Sequence, residues 1–198
     1  MTKENILKIA TDEFSLYGYD AVSMNKLAAK IQVNKATIYY HFKDKKALYQ
    51  EVLRTILHLK DTKIEKVLTS SISAEEKFRE YIRIFIQSVQ EYPQIVPLTL
   101  RELANIGANI VDGIEEDINH ELSYLIQIVS QLNLKEQYKE IDPHFIQSMI
   151  IGTLNTYYSF QISKITIDQK KNFDNNSKNI LEYINTQISS ILLNALCK

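Results

Sequence analysis

Three helix starts stand close together near the amino terminus, and their spacing limits the folds open to this chain. Ser23, Asn34 and Asp44 are each good N-cap residues, and each precedes a run of apolar residues with helical periodicity. Only Gln32 and Val33 lie between a predicted helix over 24–31 and the Asn34 cap of a second helix over 35–41. Helices joined so tightly must cross steeply, which predicts a helix-turn-helix motif.

The first two of these helix starts carry a further signal. Val22 and Leu27 flank the first cap at the spacing of a hydrophobic staple, and Val33 and Ile38 repeat that spacing around the second. Both helices are therefore predicted by capping chemistry and by apolar packing at once.

The helix over 35–41 is predicted to have an inner and an outer face. At about 100 degrees per residue, Ile38 and Phe42 share one side and are expected to point inward. The opposite side carries a small residue that allows close approach to a groove, a hydroxyl that can bind a base and phenols that can reach phosphates. These outward residues are Ala36, Thr37, Tyr39 and Tyr40.

Positive charge is concentrated in the same region. Residues 23–48 contain six lysines and one aspartate, a charge of +5, so the rest of a chain with net charge −1 sums to −6. Lys45 opens the third helix, where free N–H groups, the helix dipole and its ammonium would converge on one phosphate-sized anion. Ser23 could present the helix over 24–31 to a phosphate in the same way.

The run VNKATIYYHFKDKKAL over 33–48, with Phe14, Tyr17, Gly18 and Ser23 before it, closely resembles the DNA-binding domain of the TetR family of bacterial transcriptional regulators. The resemblance covers about the first quarter of the chain. It implies base-edge contacts by Thr37, Tyr40 and His41, backbone or flanking contacts by Lys35 and Tyr39, and phosphate contacts by Ser23 and Lys45. Two other interpretations stay open: a solvated aromatic patch over 39–41, and a His41 ring packed against the following helix.

Composition predicts an all-α chain. Four glycines, three prolines and long helical periods favour a helix-turn-helix domain over 1–48 and a larger helical effector-binding and dimerisation domain over 49–198. The start is an amphipathic helix capped near Thr2 rather than a signal peptide, and no run of about 18 apolar residues could span a membrane. Cys197 is the only cysteine, so no internal disulfide or cysteine metal cluster is expected, and a cytoplasmic location is favoured. No cofactor is predicted.

The larger domain is predicted as a series of helices. A long rod is expected over 47–68, followed by a helix that ends at Tyr92-Pro93, and Asp142-Pro143 is expected to cap a later helix. The remaining predicted elements are short and long helices over 97–106, 111–132 and 145–165, a polar loop over 166–178 and a final helix.

Surplus apolar surface on the last two helices predicts a homodimer. The helix over 145–165 is apolar nearly all round, and Gly152 and Ser159 would permit close approach of a second copy. The final helix is expected to carry one apolar stripe of Ile180, Ile184, Ile188, Ile191 and Ala195. Pairing would supply the second half-site that a palindromic operator requires.

The resemblance also implies a small-molecule effector bound between helices of the larger domain. Candidate lining residues are His58, Arg101, Glu102, Tyr157 and Tyr158, and their aromatic content favours a lipophilic or planar effector. An aromatic stripe at helical spacing is equally typical of a core or a dimer contact.

Two other classes of protein were weighed against the regulator. Asp117 and His120 form the only carboxylate-x-x-His pair, whereas a di-iron bundle needs two such pairs and two further carboxylates. A helical adaptor would leave the basic region unexplained. The sequence therefore favours a DNA-binding repressor that responds to a ligand, with no catalytic residues and no metal site.

Overall fold

The computed structural model describes residues 2–110, 113–162 and 177–198, and it confirms the predicted all-α fold over them. A short 3₁₀ helix, Glu136–Tyr138, lies between the eighth and ninth α-helices. In chain order, the α-helices are α1 (Lys3–Ala21), α2 (Met24–Ile31), α3 (Lys35–His41), α4 (Lys45–His58), α5 (Asp61–Leu68), α6 (Ala74–Glu91), α7 (Ile95–Ala104), α8 (Ile114–Val129), α9 (Pro143–Ile162) and α10 (Ser177–Leu196).

The helices are distributed over two compact units. Unit 1 comprises Met1–Leu59 with Tyr92–Ile118, and unit 2 comprises Lys60–Glu91 with Asn119–Lys198. Unit 1 therefore holds the helix-turn-helix together with α7. The compact units do not follow the predicted boundary between residues 48 and 49, and the predicted domains over 1–48 and 49–198 stay a prediction.

The core of unit 1 gathers apolar side chains from α1, α2, α3, α4 and α7. Ile38 and Phe42 are buried in it, which confirms their predicted inward orientation. Tyr49 lies in the same core, where its ring contacts Phe14 edge-on at 4.8 Å between centroids and Tyr19 at 5.0 Å. The ring contacts join α1 to α4, and the burial of Ile38 and Phe42 fixes α3 on its inner side. The other fully buried members include Ile6, Ala10, Leu27, Leu48 and Val52.

Gly18 marks a sharp turn near the end of α1. Its φ of 80° is left-handed, a conformation that glycine adopts without steric cost. A Cβ at this position would lie 3.2 Å from Nη1 of Arg101. The guanidinium of Arg101 donates to the carbonyl oxygens of Leu16, at 2.9 Å, and Ser15, at 3.4 Å. Arg101 thus joins α7 to the turn in α1.

The prediction of one continuous helix over 47–68 is wrong, because Leu59 and Lys60 interrupt it between α4 and α5. No glycine or proline lies there, so the local sequence carries no stop signal. In unit 2 the buried ammonium of Lys60 lies 3.0 Å from the carboxylate of Glu121 and 4.6 Å from the centre of the Phe85 ring. The start of α5 is therefore fixed by tertiary contacts that a local pattern does not contain.

Other helix ends follow their predicted signals. Thr2 caps α1 by accepting a hydrogen bond from the N–H of Asn5 at 3.4 Å. Asp142 accepts one from the N–H of His144 at 2.9 Å just before α9 begins at Pro143. The end of α6 at Glu91 also agrees with the sequence. Capping residues and prolines therefore located these ends correctly.

The end of α7 differs from its prediction over 97–106. The helix stops at Ala104, and Ile106 takes a left-handed φ of 54° one residue before the expected stop at Gly107. The N–H of Gly107 donates to the carbonyl of Glu102 at 2.8 Å, and the N–H of Ile106 donates to that of Leu103 at 3.2 Å. This is a Schellman-type ending with isoleucine where glycine is usual.

The apolar stripe predicted on α10 is half right. Ile184 and Ile188 are buried, but Ile191 is 60% exposed and Ala195 is also exposed. After Ile188 the buried stripe continues at Leu192 instead. Helical periodicity allows a step of three or four residues, and packing selects the step of four.

Some C-terminal predictions fall outside the described residues. These are the side chain of Ile180, the helix end over 163–165 and most of the polar loop over 166–178. Residues 177 and 178 already belong to α10. Within the described ranges, no helix combines the length and the apolar character needed to cross a membrane.

Candidate nucleic-acid interface

The three predicted caps of the helix-turn-helix are confirmed. The side chain of Ser23 accepts a hydrogen bond from the N–H of Lys26 at 3.2 Å, and Asn34 accepts one from the N–H of Ala36 at 3.0 Å. Asp44 caps α4 by accepting from the N–H of residue 47 at 2.7 Å. Each short helix therefore begins at a fixed residue, which sets the direction of α3.

The turn between α2 and α3 is also as short as predicted. Gln32 takes a left-handed φ of 61°, and its N–H donates to the carbonyl of Ala29 at 3.2 Å. The N–H of Val33 donates to the carbonyl of Ala28 at 3.0 Å, which completes the ending of α2. Gln32 accepts a conformation that an L-residue adopts only at a cost, and that conformation makes the steep crossing possible.

The outer face of α3 is open to solvent. Tyr40 is 86% exposed and Tyr39 is 40% exposed, and Ala36 is exposed between a half-buried Lys35 and a half-buried Thr37. The ammonium of Lys35 lies 5.4 Å from the centre of the Tyr39 ring. The inner face of α3 is packed on the core, and its outer face carries phenols, a hydroxyl and a small residue. A helix of this kind can enter a major groove.

His41 lies at the edge of this face. Its half-buried ring lies 5.2 Å from the centre of the Tyr40 ring and 6.3 Å from that of Phe42. One neighbour is exposed and the other is in the core. Contact with a base and packing against protein therefore both remain open for this ring.

Lys45 has a local role that the sequence did not indicate. Its ammonium donates to the carbonyl of Asp20 at 3.3 Å and lies 4.4 Å from the centre of the Tyr19 ring. The pKa of Lys45 is lowered, because the effect of burial outweighs the attraction of the Asp20 carboxylate, which acts to raise it. In the free protein this ammonium thus closes the end of α1, close to the cap of α4.

Two exposed lysines beside the Asp44 cap were absent from the predicted contacts. Lys43 and Lys46 are both exposed, and their positions around a helix start suit a phosphate. The charge run over 43–46 was the signal that could have identified them. By contrast, Lys30 is neutralised by a hydrogen-bonded ion pair with Glu13, which reduces the useful positive charge of the segment.

The predicted effector residues are divided between the two compact units. In unit 1, Arg101 binds the α1 turn, and Glu102 is buried with its Oε1 accepting a hydrogen bond from Tyr49 at 2.5 Å. In unit 2, Tyr158 is buried, while the half-buried ring of Tyr157 lies 6.3 Å from the Tyr183 ring. Of these residues, Glu102 has the most unusual environment.

His58, the remaining effector candidate, is exposed and lies beside a carboxylate of unit 1. Its Nε2 lies 3.0 Å from one oxygen of Asp117, and Nε of Arg54 donates to the other at 2.8 Å. Burial acts to raise the pKa of Asp117, but the hydrogen bonds from Arg54 and His58 outweigh it, so the pKa is lowered. Asp117 is thereby committed to structural partners.

Unit 2 has an open groove of about 580 Å³ that none of the predicted effector residues lines. Apolar side chains such as Leu132 and Ile141 form part of its wall, and Lys139 lies among them. That lysine pairs with Glu136 at 2.7 Å. The groove therefore gives no specific indication of a ligand.

Comparison with known proteins agrees with this geometry. Residues 6–52 match the family model described as bacterial regulatory proteins, tetR family. The HTH-type transcriptional regulator RutR of Escherichia coli (strain K12) is 26% identical over 166 residues, which cover 83% of this chain and 78% of RutR. The matched model spans the helix-turn-helix and its core, and the relative extends the likeness into the larger part of the chain.

Solved structures share the fold over nearly the whole length. A putative fatty acid metabolism regulator of Clostridium perfringens has a TM-score of 0.72 at 19% identity and covers 94% of this chain and 97% of that one. FadR of Bacillus subtilis, solved in complex with stearoyl-CoA, has a TM-score of 0.63 at 20% identity and covers 92% and 97%.

The helix-turn-helix, the all-helical architecture and these likenesses together define a DNA-binding transcriptional regulator. Residues 6–52 carry the DNA-binding domain of the TetR family of bacterial regulators. The relatives and structural neighbours are regulators, which confirms the prediction that the chain is not an enzyme.

Proposed function

We propose that the chain is a repressor that binds a palindromic operator as a homodimer and releases it when a small molecule binds. The observation that carries the proposal is the outer face of α3, where Tyr40 is 86% exposed on a helix whose inner face is buried. Folding does not require an exposed phenol on that face. A repressor of chromosomal genes acts in the cytoplasm, which is the location we propose.

The contacts with DNA are proposed residue by residue. Base edges would be read by Thr37 and Tyr40, with His41 beside them, because these side chains follow one another along the outer edge of α3. Backbone and phosphate contacts are proposed for the residues that flank them, with Ala36 allowing close approach. The flanking residues are Ser23, Lys35, Tyr39 and Lys45.

The proposed dimer contact uses the outer faces of α9 and α10. Phe145 is 59% exposed and Phe160 is 43% exposed on α9, and Ile191 is 60% exposed on α10. A Cβ added at Gly152 would meet no atom within 4 Å, so the helix is open there. A second copy is the occupant that suits this face, because one helix-turn-helix reads only a few base pairs and needs a two-fold partner.

Sedimentation tests the dimer. Gly152→Arg is accommodated within one protomer but blocks close approach, so we expect monomers where the wild type forms dimers. Thr62→Arg, at an exposed helical position on α5, is the matched control and should stay dimeric. Dimers in the Gly152→Arg variant would contradict the proposed interface.

The effector is proposed to act by shifting a population between conformers. A molecule that prefers the non-binding conformer by about 2–3 kcal/mol lowers operator occupancy by one to two powers of ten. Because FadR of Bacillus subtilis was solved with stearoyl-CoA, a lipophilic or aromatic effector is a reasonable class for this fold.

DNA binding is tested with the region upstream of the chain's own gene. A labelled fragment is footprinted, and its affinity is measured by fluorescence anisotropy at several salt concentrations. Thr37→Ala should lose about 1–3 kcal/mol of discrimination at one base step, while Lys45→Ala should weaken binding to all sequences and flatten the salt slope by about one unit. Thr62→Ala should change neither quantity. Unchanged affinity in both α3 and α4 variants would contradict the contacts.

A further inference from the structure

A buried carboxylate in unit 1 lacks a partner for one of its oxygens. Glu102 is only 6% exposed, and its Oε1 accepts from Tyr49 at 2.5 Å and from Asn109 at 3.4 Å. Its Oε2 is buried, and no described residue donates to it. A carboxylate offers about four acceptor sites, and a buried unsatisfied acceptor costs about 1–3 kcal/mol, more when it is charged. The Oε2 atom of Glu102 therefore lacks a hydrogen-bond donor among the described residues.

Tyr49, one of the two donors to Glu102, connects this carboxylate to the core that supports the helix-turn-helix. Burial raises the pKa of Tyr49 well above its usual range, and the hydrogen bond to Glu102 raises it further. The phenol therefore stays protonated and donates to the carboxylate. Its ring packs on Phe14 and Tyr19 of α1. A change at Glu102 would thus reach the side chains that support α1 and α4 within the same compact unit.

The segment that follows α7 lies beside this carboxylate and holds a strained conformation. Ile106 is 95% exposed and has a left-handed φ of 54°, which is costly for a β-branched side chain. The same segment supplies Asn109, whose hydrogen bond to Glu102 is long. The contact of Asn109 is the longer of the two hydrogen bonds to Glu102, so this side of the carboxylate is the point of entry to Oε2 that we consider.

The charges around the carboxylate select the kind of molecule that could enter. A buried carboxylate repels anions, and a cationic N–H group would satisfy both its charge and its free acceptor site. Arg101, the neighbouring cation on α7, donates to Ser15 and Leu16 of α1 instead. Arg101 is therefore engaged within the chain, which leaves Oε2 open to a donor from outside it.

We propose that Glu102 binds the effector, and that the effector is a small amine or amidine with an apolar or aromatic body. Its N–H group donates to Oε2, and Asn109 gives way to admit it. This inference rests on the proposed function, since it names the ligand class of the regulator. Binding at Glu102 alters the Tyr49 hydrogen bond and thereby the core that holds α1 against α4.

The test uses the full chain and three probes that differ in their polar group: benzamidine, benzamide and benzoate. Isothermal titration and thermal shift should detect benzamidine binding to the wild type, at least tenfold weaker binding of benzamide, and no binding of benzoate. Glu102→Gln keeps an acceptor for Tyr49 and should weaken benzamidine binding at least tenfold. Glu51→Gln is the matched control, because that carboxylate is in unit 1 and already pairs with Lys3 at 2.6 Å.

Two results would overturn the inference. One is equal benzamidine affinity in the wild type and the Glu102→Gln variant, and the other is no preference of the wild type for the cationic probe. The comparison among probes on the wild type needs no variant to fold. Operator binding is measured separately without probe, so a protein that binds DNA but ignores benzamidine contradicts this inference alone, and one that binds benzamidine but no DNA contradicts the proposed function alone.

Discussion

Units 1 and 2 each contain a glutamate that is buried to the same degree, but the hydrogen-bond partners of the two carboxylates differ. Glu102 in unit 1 and Glu121 in unit 2 are both 6% exposed. In unit 2, Lys60 lies 3.0 Å from one oxygen of Glu121, and Gln147 donates to the other at 3.3 Å. In unit 1, one oxygen of Glu102 has no described donor. Burial of a carboxylate therefore does not by itself indicate a binding site, and the oxygen without a donor is what distinguishes Glu102 from Glu121.

Unit 1 also carries backbone strain. Among the described residues, the two non-glycine residues with positive φ, Gln32 and Ile106, both lie in unit 1. Buried side-chain atoms without a hydrogen-bond partner are not confined to unit 1, because unit 2 has amide atoms of this kind at Asn155 and Asn185. Backbone strain and unsatisfied buried polar atoms are found most often at sites where a protein binds a ligand or changes conformation. The strained residues therefore lie in the unit for which we propose both DNA reading and the response to a ligand.

The largest expected effect tests whether Glu121 is only a structural partner. Glu121→Leu leaves the ammonium of Lys60 buried without its counter-ion and should cost about 3–5 kcal/mol in the free energy of unfolding. The double variant Lys60→Met/Glu121→Leu should recover most of that loss, because two apolar residues need no partner. Urea unfolding followed by circular dichroism measures both. A double variant as unstable as the single one would show that packing, not charge, explains the pair.

Two buried tyrosines provide the next comparison. Tyr49→Phe removes a donor from a carboxylate and should cost about 1.5–3 kcal/mol, as for hydrogen bonds to charged groups. Tyr81→Phe in unit 2 removes a donor from the amide oxygen of Gln147, which it reaches at 2.7 Å, and should cost about 0.5–1.5 kcal/mol. The same urea unfolding experiment ranks them. Equal losses would remove the distinction between the two units.

The sequence predicted best the elements whose signals are local. The caps at Ser23, Asn34 and Asp44 need only a side chain and a backbone N–H two or three residues away, so they were found correctly. The inward face of α3 follows from periodicity alone. The outward orientation of Tyr40 follows for the same reason, although its contact with DNA stays a prediction.

The features that the sequence did not predict depend on residues distant in the chain. The break before α5 requires the contact of Lys60 with Glu121, and Lys45 is drawn to the end of α1 by Asp20. The exposure of Ile191 depends on which of two helical steps packs inward. Glu102 was proposed from its residue type, but the free oxygen that distinguishes it is visible only in three dimensions.

Ile106→Gly tests the strain at the end of α7. The left-handed conformation costs an L-residue about 1–2 kcal/mol, and the extra freedom of glycine in the unfolded chain offsets about 0.5–1 kcal/mol of the relief. We therefore expect a gain of about 1 kcal/mol in the free energy of unfolding. Leu103→Gly, at an exposed helical position of α7, should lose about 0.5–1 kcal/mol. A loss in both variants would mean that Ile106 makes stabilising contacts that outweigh its strain.

Gln32→Gly applies the same reasoning to the turn of the helix-turn-helix and should have the smallest effect. Glutamine lacks a β-branch, so its left-handed conformation is less crowded than that of isoleucine, and a gain of about 0.5 kcal/mol is expected. Ala29→Gly on the exposed side of α2 should instead lose about 1 kcal/mol. Because a glycine in place of Gln32 would keep the same turn, operator affinity should not change. A stabilised variant with weakened DNA binding would indicate that the Gln32 side chain, rather than the conformation of its backbone, contributes to the interface.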